Sequence, residues 1–327
     1  MRGYHIDVKF CINKTMKKIL ISILVGLTSV SLFSQQNIEV LNEVDSRGNY
    51  NFYCINNDYC NYTVMVYFKE ISNLRWDIKL PYEAEVTPGR NSLFTLYVGD
   101  PNQNSNFNYG FSYYKGCLKP EVNLNFPFRL PIAVGKQTQA FKLDYLKINN
   151  HDTKPKDFYA IGFKVASGDT IFAARRGVVC GLRDTTNLKL NGYLGSSGDN
   201  YVEIYHQDCS FGYYQIMSKV LVKLGQEVEA GDAIAIAGGE KYYNGSQFRF
   251  WVYYNLEHQP DLKNKAGSNV IIETAYFPLK FYTKEERIVK LDFEQKYTCD
   301  YPDFLFFQEM TKREIKKWKK KKENLKK

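Results

Sequence analysis

Residues 220–255 read VLVKLGQEVEAGDAIAIAGGEKYYNGSQFRFWVYYN, and their spacing decides the fold class. Val222, Gly225, Val228, Gly231 and Ile234 form a V-x-x-G-x-x-V-x-x-G-x-x-I pattern. Gly225 and Gly231 reach backbone angles that other residues resist, so a tight reversal is expected around residues 226–230. The apolar residues between the glycines then fall on the inner side of short antiparallel strands. Gly238-Gly239 marks a further turn, and a polar loop runs on to Gly245-Ser246. Residues 247–254 are predicted as a strand with aromatic residues on both faces.

Upstream, residues 171–179, 201–205 and 213–216 read as strands between glycine-bearing turns, with 233–237 and 248–254 completing the set. Such a pattern predicts a compact antiparallel sheet folded on itself. Biotinyl- and lipoyl-type carrier domains share the glycine-paired hairpin, but they present a modifiable Lys in a tight turn, and no such site stands here. Residues 37–117 are a run of short aromatic and β-branched segments at 50–55, 62–70, 92–98 and 108–114. Polar breaks at 56–58, 88–89 and 100–101 separate them, a spacing that predicts an immunoglobulin-like sandwich. Pro120, Pro127 and Pro131 argue against helix in the connection that follows.

The fold class is therefore mainly β. Aromatics make up 16% of the 327 residues, with 26 Tyr and 22 Phe, which suits strands rather than helical bundles. Of the formal charge of +9, residues 312–327 contribute +8 and residues 1–35 contribute +4, which leaves −3 for residues 36–311. The folded body is mildly acidic, so no nucleic-acid partner is expected.

Lys14, Lys17 and Lys18 precede an apolar run from Ile19 to Phe33, followed by Ser34-Gln35-Gln36. That is the layout of a secretory signal peptide, with Met16 a candidate start; an uncleaved anchor is the rival reading. The apolar run does not end on Cys, so no lipid anchor is expected there. Loss of Cys11 with the leader leaves six cysteines, Cys54, Cys60, Cys117, Cys180, Cys209 and Cys299, an even number in a compartment that permits pairing. The chain is expected to be exported, to the periplasm or cell envelope or beyond the cell.

The glycine-paired hairpin, Gly-rich loop and final strand together resemble the core of the lysostaphin-type (LytM-type) zinc endopeptidases, which have the duplicated hybrid motif fold and cut peptidoglycan cross-links. Tyr159-Ala-Ile-Gly-Phe163 stands where that family has Tyr-Ala-Ile-Asp-Phe. Gly168 to Val179 matches its next glycine-framed strand, and Asn200 to His206 its strand ending in His. Gly212-Tyr-Tyr-Gln-Ile216 stands at Tyr-x-His-Leu, and Gln247-Phe-Arg249 at His-x-His. Phe126-Pro-Phe-Arg-Leu-Pro131 is similar to the approach segment of two-domain members, and Phe277 to Tyr282 to their tails. Together with the residue patterns, the resemblance divides the chain into a leader at 1–35, a sandwich at 36–117, a LytM-type domain with its approach at 118–285, and an extension at 286–327 ending in a basic helical tail.

A catalytic zinc needs three deprotonated ligands and an open position for water. In the family these ligands are an early His, the Asp of the first strand and the second His of His-x-His. Carried over, they fall on His151, Gly162 and Arg249, while the two assisting histidines fall on Gln215 and Gln247. Glycine offers no side chain and a guanidinium has no lone pair to donate. The family's zinc site is therefore expected to be lost, with no cofactor and no catalytic residues. Two uses of Gln215, Gln247 and Arg249 stay open. The arginine and amides line a groove that holds a wall peptide without cutting it, or Arg249 simply fills the vacant site. His206 is expected to be structural, His258 to lie in a surface loop, and Cys180 and Cys209 to form a disulfide across two strands.

The resemblance implies an exported, peptidase-like cell-envelope protein without catalysis, binding peptidoglycan peptides or regulating a partner wall hydrolase. Two alternatives are carried with it: an active zinc endopeptidase with relocated ligands, and a purely structural envelope component. Residues 303–327 have helix-forming composition, with Ile315, Trp318 and Leu325 at helical spacing among lysines. Such a basic stripe either contacts an anionic membrane surface or is a solvated, partly disordered terminus.

Overall fold

The computed structural model describes residues 11–12, 37–143, 157–185, 198–238, 245–257 and 272–324. The expected leader lies outside these residues apart from Cys11 and Ile12, and so do His151 and His258. No helix among the described residues is long and apolar enough to cross a membrane. The chain divides into two compact units, one of residues 2–118 with 257–272, the other of residues 119–256 with 273–327.

The first unit holds β1 (Cys11–Ile12), β2 (Ile38–Val44), β3 (Tyr50–Asn56), β4 (Tyr62–Ser72), β5 (Leu74–Arg75), β6 (Tyr82–Val86), β7 (Gly89–Val98) and β8 (Asn106–Lys115). They form two four-stranded sheets, ordered β1-β8-β4-β6 and β2-β3-β7-β5. Alternation along β3 and β8 turns Phe52 and Tyr109 inward, and their rings meet edge-on across the two sheets at 5.1 Å. The Tyr109 hydroxyl donates to the Val40 carbonyl at 3.0 Å, joining the sheets a second time. Strands β2, β5 and β6 were not expected from sequence. They are short or interrupted by charge, and their pairing partners rather than their own pattern define them.

The second unit holds β9 (Pro127–Arg129), β10 (Gln137–Lys142), β11 (Ile161–Lys164), β12 (Thr170–Phe172), β13 (Gly177–Arg183), β14 (Tyr201–Tyr205), β15 (Phe211–Gln215) and β16 (Met217–Val220). There follow β17 (Glu227–Val228), β18 (Ala233–Ala237), β19 (Gln247–Glu257), β20 (Ile272–Tyr276), β21 (Lys280–Tyr282), β22 (Ile288–Val289) and β23 (Lys296–Thr298). Two helices among the described residues, α1 (Asp303–Phe307) and α2 (Lys312–Asn324), follow the last strand. The main sheet runs β17-β13-β14-β15-β19-β11-β10-β23, with β20 paired to β19, and β12-β18-β16 forms a smaller sheet.

The mainly β class and its antiparallel sheets agree with expectation, and β14 and β18 have the predicted bounds. The glycine pattern works differently from the local hairpin read in sequence. Gly225 and Gly231 do take positive φ, +75° and +93°. Yet Val228 pairs with Gly177 of β13, while β18 pairs with β16 and β12. The two turns thus pass the chain from one sheet to the other, because each edge offers unpaired backbone groups that must be satisfied. The approach segment and the tail motif meet directly, Phe128 opposite Phe281 in the parallel pair β9–β21.

Candidate functional site

Three adjacent strands carry the positions singled out by sequence. Gly162 of β11 pairs with Arg249 of β19, and Arg249 pairs on its other side with Gln215 of β15. Residues opposite one another share a sheet face, so the three lie in one row. Gln247, two residues before Arg249, falls on that same face. Phe163, Phe248, Phe250 and Tyr214 alternate with them and pack into the core on the reverse face, all fully buried. The same two-residue period that built the core thus collects Gly162, Gln215, Gln247 and Arg249. Position His151 lies outside the described residues.

What surrounds the row was not legible from sequence. A Cβ placed on Gly162 would lie 2.1, 2.3 and 2.7 Å from three ring carbons of Phe141, the residue opposite it on β10. Real Cβ atoms do not approach so closely, so the phenyl ring occupies the space a side chain at Gly162 would need. Gln215, Gln247 and Arg249 are only 2%, 1% and 7% exposed. The Gln247 side-chain oxygen is buried and makes no hydrogen bond.

The next rows of that face are aromatic. Tyr201 stacks on Tyr213 at 5.0 Å, and Tyr213 on Trp251 at 4.5 Å, each pair nearly parallel. Phe211 and Tyr253 stack beside them at 5.2 Å. Buried Glu203 accepts a hydrogen bond from the Tyr253 hydroxyl and lies 3.5 Å from the Cys180 sulfur. The expected Cys180–Cys209 disulfide is not formed. Cys180 is a buried thiol outside any disulfide, whereas Cys117 and Cys209 are both disulfide-bonded. Cys180 sits on β13 turned toward Glu203, and Cys209 lies in the turn after β14. Adjacency of two strands brought their backbones together without bringing these sulfurs within bonding geometry.

His206 directly follows β14 and is fully buried. Its Nδ1 lies 2.7 Å from the Arg176 carbonyl, which can only accept, so the ring proton sits there. Nε2 makes no hydrogen bond and faces Gly212, where a Cβ would come within 2.9 Å of it. Burial, reinforced by the nearby Arg175 charge, pushes His206 down to about 3, so the ring is neutral at ordinary pH. Arg175 itself is buried. It donates to Asp208 at 2.8 Å and to Glu309 at 2.7 Å, with its guanidinium 3.9 Å above the Phe126 ring. Burial would raise the Asp208 carboxyl, but the Arg175 charge and the Ser210 hydroxyl outweigh it and hold the group below its usual range.

Residues 157–260 match the sequence model of peptidase family M23. The chain carries an M23 peptidase domain. The chain is 24% identical over 152 residues to an uncharacterized metalloprotease of Buchnera aphidicola subsp. Baizongia pistaciae (strain Bp), a stretch that covers 46% of this chain and 36% of that relative. It therefore spans only about a third of that relative's length. Among solved structures, the catalytic domain of lysostaphin from Staphylococcus simulans is similar at 23% identity, with 29% of this chain and 65% of that chain covered and a TM-score of 0.24. A zinc-containing peptidase from Vibrio cholerae is similar at 16% identity, covering 66% of this chain and 81% of its own, with a TM-score of 0.27.

The residues present on the M23 sheet face do not fit a zinc ion. Gly162 contributes no donor atom, its side-chain space is taken by Phe141, and Arg249 brings a positive charge into the row. Among the described residues, no set of three His, Cys, Asp or Glu side chains close enough to hold an ion lies there.

Proposed function

We propose that the M23 domain of this chain is a non-catalytic module of an exported cell-envelope protein, working through contact with a partner wall hydrolase. The observation that carries this reading is the Phe141 ring standing in the side-chain space of Gly162, in a row with Arg249 and Gln215. A lone substitution of a ligand leaves a hole or a water. Here an aromatic ring and a guanidinium fill the place, which is a packed and stable alternative to a metal centre. The burial of Gln215, Gln247 and Arg249 favours a protein partner over direct capture of a wall peptide by these three side chains.

Purified chain, never exposed to chelator, is expected to carry less than about a tenth of an equivalent of zinc, given the ligand requirement. It should release no muropeptides from cross-linked peptidoglycan, with or without added zinc, and should change the rate of a wall amidase from the same cell. Stoichiometric zinc, with peptide release abolished on its removal, overturns the reading in favour of relocated ligands. No effect on any wall hydrolase, with no zinc, leaves a structural component and overturns the regulatory role.

A further inference from the structure

The C-terminal helix is fixed by one face and basic on the other. Thr311 and Glu314 cap α2 reciprocally: the Glu314 amide donates to the Thr311 hydroxyl at 3.2 Å, and the Thr311 amide donates to the Glu314 carboxylate at 2.8 Å. The same carboxylate accepts from Arg176 of the M23 domain at 2.7 Å. These bonds, the Arg176 pair first among them, hold Glu314 down to about 2. One turn on, the Trp318 ring lies 5.0 Å from Phe306 and 5.2 Å from Phe307. Glu309, just before the helix, is held by buried Arg175. The segment from 303 to 318 is thus docked on its own domain, unlike the solvated terminus that composition also allowed.

At about 100° per residue, Glu314, Ile315 and Trp318 cluster on one side of α2, and all three are partly buried. Lys312, Arg313, Lys316, Lys317 and Lys320 fall on the opposite arc, and every one is exposed. Glu323 is the single acid on that arc. The helix of 13 residues is about 20 Å long, so these charges form a straight, outward-facing stripe whose direction is set by the docked side.

The geometry points to the outer face of α2 as a binding surface for an anionic lipid bilayer. Charge complementarity carries the inference. Four of the five cations are lysines, point charges on flexible stems that suit a diffuse layer of headgroups, whereas shaped phosphates and bases are read by arginine forks. Phe304 of α1, 53% exposed, adds an apolar side chain on the same C-terminal segment. The body of the protein is mildly acidic, so attraction to such a surface must come from this stripe.

The test compares the full chain with a Lys312→Gln/Lys316→Gln/Lys320→Gln variant, which leaves Glu314, Ile315 and Trp318 untouched. Both are mixed with vesicles of zwitterionic phospholipid containing 30% anionic phospholipid, by design, and with purely zwitterionic vesicles. Each cation near an anionic surface contributes on the order of fivefold, so the variant should bind anionic vesicles at least tenfold more weakly. The difference should vanish on zwitterionic vesicles and shrink as salt is raised. Circular dichroism confirms that the helix persists in both proteins. Equal partition of parent and variant on anionic vesicles overturns the assignment, as does a variant defect seen only with a purified wall polymer or nucleic acid. Metal and peptidase assays do not enter this test, so its failure leaves the reading of the M23 site standing.

Discussion

Replacing Gly162 by alanine tests directly whether the Phe141 ring fills the site. Glycine in a strand is less favourable than alanine, so with open space above it the substitution should stabilise the domain by about 0.5 kcal/mol. The structure reverses that sign. The new methyl would sit 2.1 Å from the Phe141 ring, and the ring must swing away. A fully buried phenylalanine is worth ~1.5–3 kcal/mol, and Phe141 is partly buried, so its displacement forfeits about 1 kcal/mol or somewhat more. Gly162→Ala should therefore cost about 1 kcal/mol in the parent protein but gain about 0.5 kcal/mol in a Phe141→Ala background, a coupling of ~1.5 kcal/mol. Urea unfolding of all four proteins, followed by the fluorescence of Trp251 on the adjoining strand, measures the cycle. Equal effects in both backgrounds, within about 0.5 kcal/mol, would refute the claim that the ring occupies this space. The functional corollary is that Gly162→Asp with Arg249→His should not bind zinc until Phe141 is also made small.

Stability should fall as the pH is lowered from about 6.5 toward 3, because the unfolded chain protonates His206 there while the buried ring, at about 3, stays neutral. The slope is at most ~1.4 kcal/mol per pH unit, lies above the carboxylate range in its upper half, and should flatten in His206→Gln. Unfolding midpoints that do not change between pH 6.5 and 5 in the parent would contradict the buried neutral ring. Arg175→Met leaves the partly buried Asp208 and Glu309 without their buried cation and should cost about 2–3 kcal/mol. Trypsin should then cut within residues 312–320 faster than in the parent, and an unchanged cleavage rate counts against docking through Arg175. Tyr214→Phe removes the hydroxyl that accepts from the Ala174 amide at 2.7 Å and should cost ~1–3 kcal/mol, read by the same urea titration. A loss below about 0.3 kcal/mol would mean that the amide finds another acceptor.

The chain's own residues determined the strand-rich class, the positive-φ glycines at 225 and 231, and the replacement of metal-ligand types at 162 and 249. These are local matters of period, turn chemistry and donor atoms, and one position at a time is enough to read them. The row Gly162–Arg249–Gln215 follows from the same two-residue period once the strands are in register, but the register comes from pairings between segments up to 89 residues apart. Phe141 in QTQAFK carries no mark of its role, since only the pairing of β10 with β11 sets its ring over Gly162. Passage of the glycine turns between two sheets, the exclusion of Cys180 from the disulfide and the docking of the C-terminal segment through Arg175 and Arg176 likewise depend on which distant groups are near. Pattern specifies which face of an element is buried; contact between elements distant in sequence decides what that face meets, and so what the site can hold.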